Sequence, residues 1–333
     1  MLRLAFASAA AVTAVLLGVA QRNGVSDGTL PLFHLVDGHG YSEAALPDDL
    51  SGVTTLITGA SSGLGLGLAQ VLARKGARLI VTARSKEKCD EIPVKIAACV
   101  VLELLSLTST RKAAEEILEL TKDSGIDKVV LNAGIMAPPE VVLSADGIES
   151  QFATNHLGHF ELTRLLLPRL REQAASGRAP AVVVAISSLA HWFAPKAPLL
   201  TLDVLNDPQK YDKVQWYGWS KLCNILFVRE LNAREPGVVA HSVHPGGVQG
   251  KLLRFAMLPD SIVEAFEKNV YWDAQTAALT IARPLFDAQF STKAEAGTYF
   301  APIARPLKTS AMAQDDQLAS DLWKFSEALA ATV

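Results

Sequence analysis

From Ser51 onward, short apolar runs alternate with longer segments in which apolar side chains recur at helical spacing. The short runs are Val53–Thr58, Arg78–Ala83, Ala97–Glu103, Asp127–Leu131, Ala181–Ile186 and Val238–Val243. Short runs separated by helical stretches predict strands joined by crossover helices, hence a parallel sheet. The run Val182-Val183-Val184-Ala185-Ile186 is apolar at every position rather than at alternate ones. A strand of that kind is covered on both faces, so the predicted architecture is α/β: a single Rossmann-type doubly wound parallel sheet with helices on both faces. Near the end of the chain Leu318, Leu322, Phe325 and Leu329 stand at helical spacing with Asp316, Asp321, Lys324 and Glu327 between them. That pattern predicts an amphipathic helix docked on the domain.

The start of the chain is different. Leu4 to Ala20 carries no charge and is bracketed by Arg3 and Arg22. As a helix it would reach roughly 26 Å, the lower limit for crossing a bilayer. The favoured expectation is a retained membrane anchor at the endoplasmic reticulum. A secretory signal cut after Gly18-Val19-Ala20 and an organelle transit peptide are the alternatives. The predicted organisation is therefore a hydrophobic anchor or signal over 1–22, a linker over 23–50 and one catalytic domain over 51–333.

Composition narrows the function. Of 333 residues 50% are hydrophobic and 20% charged, enough for one large core, and the net charge of -3 leaves no general basic surface for nucleic acid. Cys89, Cys99 and Cys223 form no CxxC pair and are expected to be ordinary thiols in a reducing space. His156 and His159 lack the companions of a zinc site, so no metal is expected.

Directly after the first predicted strand stands Thr58-Gly59-Ala60-Ser61-Ser62-Gly63-Leu64-Gly65, and a helical pattern follows. Glycines let the backbone approach a pyrophosphate, and the helix N-terminus offers free N–H groups and partial positive charge. A glycine turn that merely joins strand to helix is the plain alternative, and the context on both sides disfavours it. After the second strand, Thr82-Ala83-Arg84-Ser85 places a guanidinium where an NAD-binding domain often holds an acid. Arg84 there suits a ribose 2′-phosphate, so NADP is expected ahead of NAD.

Tyr217-Gly218-Trp219-Ser220-Lys221 sets a phenol and an ammonium four residues apart, on one helix face. A neighbouring cation stabilises phenolate and would draw the phenol toward the working range of a general acid/base. Ser187-Ser188 ends the fifth predicted strand, at the carboxyl edge where doubly wound sheets bind ligands. Asn155 is a polar residue within a helical pattern.

Together TGASSGLG at 58–65, NAG at 132–134, Asn155, Ser187-Ser188, YxxxK at 217–221 and Pro245-Gly246 resemble the short-chain dehydrogenase/reductase family over nearly all of residues 51–330. NHLGHF at 155–160, SSLAH at 187–191 and SKLCNILF at 220–227 look like its retinol-dehydrogenase-like branch, where an N-terminal membrane segment is common.

The resemblance implies that Tyr217 is the general acid/base and that Lys221 lowers its pKa and holds the nicotinamide ribose. It implies that Ser188 orients the substrate oxygen and that Asn155 positions a relay water. Gly59, Gly63 and Gly65 would carry the pyrophosphate, with Ser61, Ser62 and Leu64 in the same cofactor-binding set. Asn132, Ala133, Gly134, Pro245, Gly246 and Val248 would line the cofactor. Two positions depart from the family pattern. Glu103 replaces the more usual Asp near the adenine, and Gly250 stands where a Thr often meets the carboxamide, leaving that contact to the Val248 backbone.

The implied activity is hydride transfer between NADP(H) and an alcohol or carbonyl. The apolar stretch Leu252, Leu253, Phe255, Met257, Leu258, Ile262, Val263 and Phe266 suggests a lipophilic partner such as a retinoid, steroid or long-chain carbonyl. A homodimer is compatible with this reading. The competing functions are a nucleotide-binding scaffold or redox sensor without turnover, which would be free to lose the tetrad, and a nucleotide-sugar epimerase or dehydratase.

Overall fold

A computed structural model describes residues 41–248 and 272–332. Among these residues, β1 (Thr54–Ile57), β2 (Arg78–Ala83), β3 (Ala98–Val101), β4 (Lys128–Leu131), β5 (Ala181–Ile186), β6 (Val238–Val243), β7 (Tyr299–Ala301) and β8 (Arg305–Leu307) form one sheet. Its order is β3-β2-β1-β4-β5-β6-β7-β8. All neighbours pair in parallel except β7 with β8. The long helices are α1 (Gly63–Arg74), α2 (Leu107–Leu120), α3 (Gly158–Ala175), α4 (Lys213–Arg234), α5 (Ala274–Phe286) and α6 (Asp316–Ala331). The doubly wound α/β architecture expected from the apolar pattern is the one observed.

The central strands serve two cores. Leu56, Ile80, Val129 and Val183 join the cluster that also holds Ile117, Leu166, Leu222 and Leu322 from α2, α3, α4 and α6. Their chain neighbours Ile57, Val81, Val130 and Val184 join the opposite cluster, with Leu68 of α1 and Ile281 of α5. Successive strand side chains point to opposite faces, so a strand between two helical layers is apolar throughout. The amphipathic α6 docks as expected, with Leu318, Leu322 and Leu329 buried.

Three observations differ from the sequence expectations or add to them. β7 and β8, three residues each, carry no recognisable apolar run, and they extend the sheet past β6. Residues 41–50, within the stretch expected as linker, pack onto the domain: Leu46 and Leu50 are buried, and Glu43 pairs with Arg74 of α1. Cys89 and Cys99, expected as separate thiols, are joined in a disulfide. A one-turn helix at Lys86–Asp90 reverses the chain, and β3 returns alongside β2 with Cys99 opposite Val81, so the fold brings together two sulfurs that their spacing does not pair. Cys223 is buried on α4, and burial raises its thiol pKa.

The strand order reverses between β1 and β4. Crevices at such a switch point, outside the carboxyl ends of the strands, are where this architecture receives ligands. The anchor segment and Gly250 lie outside the described residues, as does the apolar stretch beginning at Leu252.

Candidate active site

The glycine turn leaves β1 at the switch point and meets the segment after β4. Asn132 Nδ2 donates to the carbonyls of Thr58 and Gly59, at 2.8 and 3.2 Å. A Cβ on Gly65 would stand 2.5 Å from both Asn132 Nδ2 and the Gly59 carbonyl oxygen, so only glycine lets α1 start this close to β4. At Gly63 a Cβ would meet nothing within 4 Å. The first turn of α1 therefore presents open backbone, with N–H groups that have no partner inside the helix, and a dinucleotide pyrophosphate fits such a cradle. Arg84 follows β2 directly, is exposed and makes no hydrogen bond or ion pair among the described residues. Ser85 caps the one-turn helix by accepting from Lys88 N–H. The Glu103 carboxylate accepts from Leu105 N–H at 3.0 Å, within its own loop. Gly246 has φ of +84° and leads to Val248, which bridges to Trp272.

Between Phe152 and α3 the chain makes a π-helical turn over Ala153–Leu157, where a regular helical pattern was expected. The wider turn carries Asn155, which is fully buried. Asn155 Oδ1 accepts from Ile135 N–H at 2.8 Å, and Nδ2 donates to the Ile135 carbonyl and to Ser220 Oγ, each at 2.9 Å. Ser220 Oγ in turn donates to the Tyr217 carbonyl at 2.8 Å. The amide thus ties the segment after β4 to α4.

At the end of β5 the two serines diverge. Ser187 Oγ turns inward and donates to the Lys221 carbonyl at 2.8 Å. Ser188 Oγ accepts from Ala190 N–H at 3.1 Å and faces the Tyr217 hydroxyl closely enough to lower its pKa. That contact needs α4 to lie against the turn over Leu189–Phe193. Gly218 permits it, because a Cβ there would stand 2.5 Å from the Ala190 carbonyl oxygen. A mid-helix glycine costs about 1 kcal/mol against alanine, and close approach is the return on it here. His191, fully buried, donates from Nδ1 to the Ser188 carbonyl at 2.7 Å and accepts at Nε2 from Ser310 N–H at 3.2 Å.

Lys221 Nζ lies 5.6 Å from the Tyr217 ring centroid and donates to the Ile186 carbonyl at 3.0 Å. Burial lowers its pKa to about 7. Burial also raises the Tyr217 phenol to about 12, against the opposing influence of the Ser188 hydroxyl. The ammonium was expected to draw the phenol down. In this structure desolvation decides the direction, with Nζ engaged by a carbonyl. The phenol therefore holds its proton at neutral pH.

The expected residues Tyr217, Lys221, Ser188 and Asn155 converge here with the glycine turn and the NAG segment. A Cβ on Gly134 would lie 2.9 Å from Asn155 Oδ1 and 3.6 Å from Lys221 Nζ. Sequence reasoning missed Gly218, His191 and His159. The signals available were a glycine inside a helical YxxxK pattern and two histidines at short spacing from Ser188 and Asn155.

The chain matches the short chain dehydrogenase family model over residues 53–196. Short-chain dehydrogenase TIC 32 B, chloroplastic, of Brassica napus is 33% identical over 311 residues, covering 86% of this chain and 93% of that protein. Retinol dehydrogenase 14 of Homo sapiens is 33% identical over 313 residues, covering 85% and 88% respectively. A crystal structure of an uncharacterized protein from Mycobacterium paratuberculosis superposes with a TM-score of 0.67 at 31% identity, covering 88% of this chain and 98% of that one.

Proposed function

This chain belongs to the short-chain dehydrogenase/reductase family, retinol-dehydrogenase-like in kind, and from that premise we propose that it is an NADP(H)-dependent oxidoreductase acting on a lipophilic alcohol or carbonyl compound. The observation that carries the proposal is the Tyr217 phenol facing Ser188 at the carboxyl edge of the sheet, with Lys221 Nζ 5.6 Å from its ring. A nicotinamide cofactor held by the glycine turn would supply or accept the hydride. The chain's own residues handle the rest. Ser188 orients the substrate oxygen, and Tyr217 gives that oxygen its proton in reduction or takes it in oxidation. Lys221 places a positive charge near the phenol and reaches the ribose. Asn155 holds α4 and the segment after β4 in register, with one Oδ1 lone pair left for a relay water. Gly59, Gly63 and Gly65 receive the pyrophosphate, and Arg84 receives a 2′-phosphate.

The lipophilic substrate class rests on the apolar 252–266 stretch and on kinship with a protein named for retinol. The N-terminal apolar segment would hold the domain at a membrane, that of the endoplasmic reticulum ahead of the secretory or organelle alternatives. Among the described residues no helix is long and apolar enough to cross one. The test is NADPH consumption across a panel of aldehydes, ketones and sterols, with wild type and Tyr217→Phe side by side. Turnover by wild type only, with nucleotide affinity within a few fold in both, is the expected result. Retained turnover in the variant would overturn the assignment.

A further inference from the structure

His159, in the first turn of α3, has no part in the roles given above. Its ring is buried between two functional segments. Nδ1 lies 3.2 Å from the Asn155 carbonyl oxygen, and Nε2 lies 2.9 Å from Thr58 Oγ1. A carbonyl oxygen only accepts, so the ring proton sits on Nδ1 and Nε2 carries the lone pair. The Thr58 hydroxyl already accepts two backbone N–H groups, from Asn132 at 2.9 Å and Ala133 at 3.1 Å. Its own hydrogen has two acceptors in reach, the Val130 carbonyl at 3.4 Å and Nε2 at 2.9 Å, and the nearer one is Nε2. One neutral tautomer satisfies every polar atom in the set, and burial, which lowers the imidazole pKa to about 3, keeps the ring neutral.

The bonds continue in both directions. Thr58 opens the glycine turn on one side. On the other, Asn155 Nδ2 reaches Ser220 Oγ, and Ser220 Oγ reaches the Tyr217 carbonyl. A side chain that only filled space here would be apolar, because burying an imidazole costs free energy unless both nitrogens find partners. This imidazole finds them on the two segments whose relative position sets the distance from nucleotide to phenol.

We propose that His159 is a positioning residue that fixes the Asn155 turn to the glycine turn, and so keeps the proton-handling side chains in register with the nucleotide-binding loop. The proposal rests on the reading of Asn155, Tyr217 and the glycine turn given above.

The test separates the two nitrogens. An Asn amide nitrogen reproduces the position of Nδ1, and a Gln amide oxygen that of Nε2. His159→Asn keeps the grip on the Asn155 carbonyl and releases Thr58, so the NADPH dissociation constant should rise about ten-fold while kcat at saturating nucleotide changes less than three-fold. His159→Gln keeps Thr58 and releases Asn155, so kcat should fall about ten-fold with nucleotide affinity within two-fold. His159→Leu should show both losses. Identical effects of Asn and Gln on both constants, or a Leu variant with wild-type constants, would overturn the proposal. If the variants fail to fold, nitrogen NMR of histidine-labelled wild-type protein decides. A neutral Nδ1–H tautomer for His159 from pH 8 to 5 supports the bridge, and an Nε2–H tautomer or a titration in that range refutes it. Nucleotide binding and the tautomer are read without turnover, so an enzyme inactive on every substrate would count against the proposed function and leave this test standing.

Discussion

Ser187 donates its hydroxyl to the Lys221 carbonyl at 2.8 Å, and this bond assigns different tasks to two adjacent serines. One braces β5 against the helix that carries Tyr217 and Lys221. The other, Ser188, is left facing the Tyr217 hydroxyl. Ser188→Ala should therefore lower kcat about 10²- to 10³-fold, the usual loss when a preorganised donor to a developing charge is removed, with the melting temperature little changed. Ser187→Ala should show the opposite profile. It removes one of the two hydrogen bonds on a mid-helix carbonyl, at about 0.5–1.5 kcal/mol of stability, and costs less than three-fold in kcat. Paired kinetics and thermal melts check both, and equal kinetic losses would remove the distinction.

Gly218→Ala places a methyl group against the Ala190 carbonyl, where a Cβ would stand at 2.5 Å. Relief requires α4 to move away from the turn that carries Ser188. Overpacking of this kind costs about 1–3 kcal/mol, or several degrees of melting temperature in a domain of this size. The expected signature is a fall in kcat larger than the fall in nucleotide affinity. A variant more active or more stable than wild type would show that the contact does not position Tyr217.

Arg84 should decide between two similar cofactors. It is exposed beside the carboxyl end of β2, and no acid occurs from Leu79 to Lys86. A charge-assisted contact to a 2′-phosphate is worth roughly 1.5–3 kcal/mol, about ten- to a hundred-fold in affinity. Arg84→Ala should weaken NADPH by that factor and leave NADH nearly unchanged. The ratio of kcat/KM with the two cofactors measures it, and a wild-type preference for NADH would reverse the assignment.

Buried neutral histidines make stability depend on pH. Burial lowers His156, His159 and His244 to about 3 and His191 to about 4. The unfolded chain takes up these protons near pH 6.5 and the folded chain does not. Stability from these groups is thus complete above 6.5 and falls with pH until the folded values are reached, at about 1.4 kcal/mol per pH unit for each histidine. Between pH 6.5 and 5 most carboxylates remain ionised, so the loss there belongs mainly to histidine, with uptake of about four protons on unfolding at pH 5. Denaturant melts across that range should show a steep decline. A flat profile would mean that these rings are protonated in the folded state.

The apolar segment Leu4–Ala20 predicts that the full-length protein stays with membranes through an alkaline carbonate wash, whereas a chain beginning near Ser42 is soluble. A soluble full-length product with a new N-terminus at Gln21 would instead indicate a cleaved signal.

The features legible in the sequence are those with a local cause. β5 is apolar at every position because both of its faces are covered, and α6 shows its stripe because only one face is. The glycine turn is readable because strand, turn and helix are contiguous, and Tyr217 and Lys221 because four residues make about one helical turn. Tertiary structure decided what depends on residues far apart in the chain. Nothing local separates Ser187 from Ser188; the position of α4 does. Cys89 meets Cys99 because β3 returns beside β2, and His159 reaches Thr58, 101 residues away, because the fold brings the start of α3 to the end of β1. β7 and β8 are three residues each, and pairing with β6 and with each other holds them, a stabilisation that periodicity cannot register. Spacing along a helix or strand is set by backbone geometry that every segment shares, whereas a hydrogen bond between distant segments exists only once the whole fold has set their separation.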